Sequence, residues 1–214
     1  MKERLPFASG AEKDVYKHLV HHDKLVKEYR NESQEASMIK ARFYFAKVLR
    51  VLFPKNFPSM SIAGTGQKKI DQRPHVVVEK VDLDNRHAEI QRLYDADFSR
   101  TGSRRLGQLM KEVDEDPRVR MFDSQLDFFG VYFDKTFRNY AISKDGHVLY
   151  LDTIDPWSEV YIPQSGKTTL KLAFDPEKIS EGIDLIKDPV AQTQVRAYLD
   201  KVLLLFEAAQ SVDL

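Results

Sequence analysis

The sequence has no cysteine, which excludes disulfides and thiolate zinc sites and fits a chain kept in a reducing compartment. It has no excess of either charge, with Lys+Arg and Asp+Glu at 33 each. No overall field therefore draws it to nucleic acid or to an anionic membrane. No window approaches the roughly 18 apolar residues of a spanning helix, and the opening MKERLPFASG lacks an apolar run of signal-peptide length. Internal repeats and low-complexity tracts are absent as well. These gaps lead to the expectation of a soluble, cytoplasmic protein with no membrane partner. What is present is 214 residues that are 42% hydrophobic, enough for one domain or for two lobes sharing a cleft.

The most informative stretch is Phe129 to Trp157, FGVYFDKTFRNYAISKDGHVLYLDTIDPW. Tyr140 and Ile142, then Val148 and Tyr150, alternate with their neighbours, and Asp145-Gly146 supplies the positive φ angles of a two-residue hairpin turn. A hairpin of that length brings Asn139, at its start, beside Asp152, at its end. Asp134 lies one loop away. Two oxygen-bearing side chains on a rigid hairpin, with a carboxylate nearby, suit a hard divalent cation and a carboxylate base.

An Asp followed five residues later by Asn is the D-x-x-x-x-N spacing of the kinase catalytic loop. On these residues the chain resembles the protein-kinase-like superfamily, including the small-molecule phosphotransferases related to aminoglycoside kinases. The resemblance implies that Asp134 is the catalytic Asp and that Asn139 and Asp152 hold Mg²⁺. Two departures stand out. Tyr132-Phe133 replace the usual His-Arg or His-Gly, and Thr153-Ile154 replace Phe-Gly, which argues against a regulated activation segment.

The chain before this stretch supplies the expected partners in order. Residues 5–29 read as a strand meander with turns at Ser9-Gly10 and His22-Asp23. The resemblance makes SGAEKDVYK the phosphate-covering loop, with Gly10 its one remaining glycine, and Lys27 the strand lysine that meets the phosphates. Lys24 competes for that role, and solvated strand lysines would read the same way. A helix follows over 32–53, opened by Asn31 with Gln34 and closed by Pro54. Met38, Ala41, Phe45, Val48, Leu49 and Leu52 form the stripe that packs it on a sheet. Glu35, rather than Glu32, is the expected partner of Lys27, although acidic residues at a helix N-terminus need no site to explain them. Residues 62–72 read as a turn-rich strand pair. Val76 to Val81 read as a strand buried on both faces, with Val78 bordering the adenine and the backbone of Glu79 and Val81 facing it.

Beyond Asp84 the pattern turns helical, through Ala88, Ile90, Leu93 and Tyr94, then Leu106, Leu109, Met110 and Val113. Arg100, Arg104 and Arg105 with Gly102 read as a basic loop that is solvated or contacts an anionic partner. Asp116-Pro117 opens a helix carrying Val119, Phe122, Leu126 and Phe129. Asp155 is near enough to Asp152 to aid a second cation, to orient a water, or to cap the turn. Trp157 reads as core. SGKTT at residues 165–169 is rejected as a phosphate loop, because Tyr161 stands where its first glycine is required. Asp175-Pro176 and Asp188-Pro189 open the last two helices, the second running over 189–210.

The combined expectation is an α+β, two-lobed kinase-like fold. Residues 1–81 form a small antiparallel-sheet lobe, and residues 82–214 a reduced, mostly helical lobe with the loop 134–139 and the hairpin 140–152. Its expected cofactors are ATP and Mg²⁺, and its expected activity is phosphoryl transfer to a hydroxyl acceptor. A catalytically inactive nucleotide-binding or interaction module is the alternative. In a purely structural protein, Asp134, Asn139 and Asp152 would be turn and cap residues. Nucleic acid is not an expected partner.

Overall fold

The computed structural model describes residues 8–9, 13–18, 20–29, 36–63, 75–81, 84–96, 104–163 and 167–211. The fold is α+β, with three antiparallel sheets and six α-helices among the described residues. Strands β1 (Ala8–Ser9), β2 (Lys13–Lys17), β3 (Lys24–Tyr29), β4 (Met60–Ala63) and β5 (His75–Glu79) form one sheet in the order β1-β2-β3-β5-β4. The β2–β3 connection turns at His22-Asp23, as its polar residues require. β5 runs between β3 and β4, with Val26 opposite Val77 and Ile62 opposite Val76.

Helix α1 (Ala36–Leu52) follows β3, and its predicted start at Asn31 lies outside the described residues. It is buried on two sides rather than one. Ile39 and Ala46 pack with Met60, Val76 and Val78 against the sheet. Ala41, Phe45, Val48 and Leu49 enter a larger core that includes Val195, Leu199 and Val202 of α6 (Pro189–Gln210). The sheet therefore covers only one side of the helix, and α6 packs on another.

The other helices are α2 (Asn85–Ala96), α3 (Arg104–Asp114), α4 (Pro117–Phe128) and α5 (Pro176–Asp184). Asp116, Asp175 and Asp188 cap α4, α5 and α6, each accepting from backbone N–H groups of the first turn with proline at the first helical position. Arg104 and Arg105 open α3 instead of forming a basic loop. Arg105 donates to both carboxylate oxygens of Glu89 on α2, at 3.0 and 3.1 Å, so this cation serves a helix–helix contact.

Helix α4 ends at Gly130, whose φ of 63° is strained for any residue with a side chain and where an added Cβ would meet the Asp175 Cβ at 3.0 Å. The chain then enters a loop and a 3-10 turn (Phe137–Asn139) before β6 (Tyr140–Ile142) and β7 (Val148–Tyr150). Their turn differs from the two-residue type expected. Ser143 and His147 close the hairpin, leaving Lys144, Asp145 and Gly146 as a three-residue loop with Gly146 at φ 80°. A left-handed third residue suits that longer loop. All six β6 and β7 residues are buried, so the apolar alternation does not mark a solvent face. A third hairpin, β8 (Trp157–Ile162) with β9 (Lys167–Leu172), follows and is largely exposed. Thr168 and Thr169 are strand residues paired with Tyr161 and Val160, in keeping with the rejection of a phosphate loop there. No described helix is long and apolar enough to cross a membrane.

Candidate functional site

Backbone pairing of β6 with β7 begins the site. Tyr140 pairs with Tyr150, and the Leu151 N–H donates to the Asn139 carbonyl at 2.8 Å. Asn139 and Asp152 therefore flank the open end of one short hairpin. The Asn139 Nδ2 donates to both the backbone carbonyl and the Oδ2 of Asp134, each at 3.2 Å. The five-residue spacing thus closes a loop with Asn139 against Asp134.

Tyr150 is the strut beneath this loop. Its ring is buried between Phe133, Phe57 and Tyr140, and its hydroxyl donates to the Asp134 carbonyl at 3.0 Å. Burial, followed by the negative charges of Asp152 and Asp134, holds its phenol well above the ordinary tyrosine range. Tyr150 remains a neutral donor, and both carboxylates bear on its hydroxyl. Tyr140 is held high in the same way, by burial and by its 2.7 Å bond to Asp123. Sequence reasoning assigned both tyrosines only to strand alternation. Their place on the strand bearing Asp152, and beside Asn139, was the available signal.

Asp134, Tyr150, Asp152 and Asp155 open onto one pocket of about 390 Å³, walled also by Tyr132 and Trp157. Asp134 accepts from the Thr136 N–H at 3.0 Å and from the Thr136 hydroxyl. Asp152 accepts from the Thr153 N–H at 2.8 Å. Phe133 packs edge-on to Tyr150 at 5.6 Å, while Tyr132 is 84% exposed. Aromatic packing of Phe133 on Tyr150 therefore supports the loop. Trp157 is 3% exposed and touches Phe206, a core residue as expected.

Lys27 extends from β3 to the same hairpin, donating to the Leu151 carbonyl at 2.7 Å. Lys24 begins that strand, paired with Glu79. Asp155 does not cap a turn. It forms a two-pronged pair with Arg42 of α1, from Nε to Oδ1 and from Nη2 to Oδ2, the latter at 3.0 Å. Val78 is buried on the sheet face toward α1, and the Glu79 N–H donates to the Ser59 carbonyl at 2.8 Å. Glu79 is exposed and Val81 half-buried. Gly10, Glu32 and Glu35 lie outside the described residues. The structure thus brings Asp134, Asn139, Asp152 and Lys27 to one hairpin end, whereas Val78, Glu79 and Val81 belong to the β5 strand and its exit.

Among the described residues no group of three or more His, Asp or Glu side chains converges as a metal cage. Magnesium is ordinarily held by one or two carboxylates together with phosphate oxygens, not by an all-protein cage. The hard oxygens of Asn139 and Asp152 are a donor set of that chemistry. No protein-family model matches the chain, and no curated protein matches it.

Proposed function

We propose that the chain is a protein-kinase-like phosphotransferase, with residues 1–81 and 82–214 as the two lobes of its fold. Its substrates are ATP with Mg²⁺ and a hydroxyl-bearing acceptor. The observation that carries this reading is the common opening of Asp134 and Asp152 onto one pocket, with Asn139 bonded to Asp134. The order of elements supports it too: an antiparallel sheet with a helix against it, then helices, then the loop and hairpin.

Phosphoryl transfer asks mainly for positioning and for neutralisation of charge. Bound Mg²⁺ supplies that neutralisation at the phosphates. The donor side of the Asn139 amide is turned to Asp134, which leaves Oδ1 as the atom that would hold a cation, and Asp152 would contribute a carboxylate oxygen. Asp134 orients the acceptor hydroxyl and takes up its proton. Lys27 holds phosphate oxygens, and Glu35 steadies Lys27. Tyr150 fixes the Asp134 backbone from below, which limits the drift of its carboxylate.

Two observations favour other readings. Tyr132 and Phe133 supply no polar support to the loop, which suits an inactive nucleotide-binding module. Asp134 and Asp152 both serve local turns, which suits a purely structural role, although a carboxylate oxygen that accepts one hydrogen bond keeps further lone-pair capacity. Addition of Mg²⁺-ATP separates these, because a ligand that binds the native state raises the melting temperature. In an ATP-turnover assay Asp152→Ala is expected to lose more activity than Glu35→Ala. Equal losses would reject the assigned roles, and a thermal shift without turnover over a panel of hydroxyl acceptors would favour the inactive module.

A further inference from the structure

We propose that Arg42 is a positioning residue for Asp152, an inference that rests on the phosphotransferase reading above. Arg42 is 6% exposed in the middle of α1. A guanidinium so buried is costly without a well-placed countercharge. Asp155 supplies one through both carboxylate oxygens, and the fork geometry fixes direction as well as distance. At the other end of the same short segment, the Leu151 carbonyl accepts from Lys27 at 2.7 Å. Residues 152–155 are therefore tethered at both ends by cations from the first part of the chain, one on β3 and one on α1.

Asp152 lies between the two tethers, and its Oδ1 accepts from the Thr153 N–H of the same segment, so a shift of that backbone carries the carboxylate with it. A buried ion pair is weak evidence for stability, since apolar residues of similar volume often serve as well. Orientation of the segment is a role that such a replacement cannot fill. Releasing the Asp155 end frees the segment to shift, moves the Asp152 carboxylate with it and weakens the hold on a cation.

The test uses the full chain and a fixed concentration of a non-hydrolysable ATP analogue, titrated with Mg²⁺. The single Trp, Trp157, lines the pocket two residues beyond Asp155, and its emission reports the titration. Arg42→Met combined with Asp155→Leu should raise the Mg²⁺ midpoint about tenfold, the scale expected when a ligand's supporting contact is lost. Arg42→Lys, which keeps the charge and loses the fork, should fall between that variant and the unsubstituted chain. Asp155→Asn, at a half-exposed position, tests the same loss with little change of shape. Thermal unfolding without Mg²⁺ distinguishes a lost fold from a lost orientation. An unchanged midpoint in variants that remain folded overturns the role of Arg42 and leaves the phosphotransferase reading intact. Absence of any Mg²⁺ response in the unsubstituted chain overturns both.

Discussion

Two consecutive hairpins in this molecule have opposite surroundings. In β6–β7 every strand residue is buried. In β8–β9 only Trp157 is fully buried, and Val160, Tyr161 and Ile162 are exposed on one strand. Both are antiparallel hairpins, β6–β7 of three-residue strands and β8–β9 of six-residue strands, so the shorter one is the more buried, and the packing available on each side decides it. Phe57 and Phe133 pack on Tyr150 of β6–β7, within the core that also holds Phe122 and Trp157, and its open end is consequently well held. β8–β9 rests on the core through Trp157, Leu170 and Leu172, and its side chains face outward. Rigidity here comes from burial and not from the hairpin fold itself.

The strongest challenge to that contrast is Tyr150→Ala. It should cost about 3–5 kcal/mol in urea unfolding, because it empties an aromatic site in the core and strips a hydrogen bond from Asp134. A loss near that of a surface change would mean that β6–β7 is not the better-held hairpin.

Acid should loosen the same hairpin by a second route. Asp116 is 8% exposed, and Arg118, by a side-chain hydrogen bond, holds its carboxyl down to about 2, with help from Arg86. Arg118 in turn donates to the Gly146 carbonyl in the β6–β7 turn at 3.3 Å. Because the folded value is depressed, this stabilisation is complete above the ordinary aspartate range and fades as pH falls through about 2. The contribution at stake is on the order of 2 kcal/mol. Urea midpoints measured from neutral to acid pH should therefore fall less steeply for Asp116→Asn than for the unsubstituted chain, and parallel curves would show that the brace does not act.

At the small end, Tyr161→Ser in β8 should change stability by less than about 0.5 kcal/mol, as read by the same unfolding curves. A larger loss would show that the outer hairpin is covered by packing of its own.

Helices with proline caps were legible in the sequence, because Asp-Pro declares a start and three- and four-residue spacing declares a face. α4 and α6 follow those signals closely. β6–β7 was legible from Gly146 and the alternation, although its turn was assigned one residue too short. β8–β9 escaped notice because its exposed side chains leave no apolar period to detect. In the site, the ends of the hairpin followed from spacing alone. Arg42 did not, since charged residues on a helix normally mark its outer side and Asp155 is far along the chain. Its one trace was its place in the stripe of Met38, Phe45 and Leu49, where an apolar residue belongs.

The double burial of α1 sets an order of events during synthesis. The side of α1 that packs on Met60, Val76 and Val78 finds its cover soon after it is made, whereas the side that packs on Val195, Leu199 and Val202 waits until α6 has been translated. At about 5–20 residues per second, Phe45, Val48 and Leu49 spend on the order of ten seconds without their final neighbours. A nascent chain in that interval presents a greasy ridge to whatever surrounds the ribosome, so premature termination ahead of α6 would yield a fragment prone to capture by chaperones or to clumping.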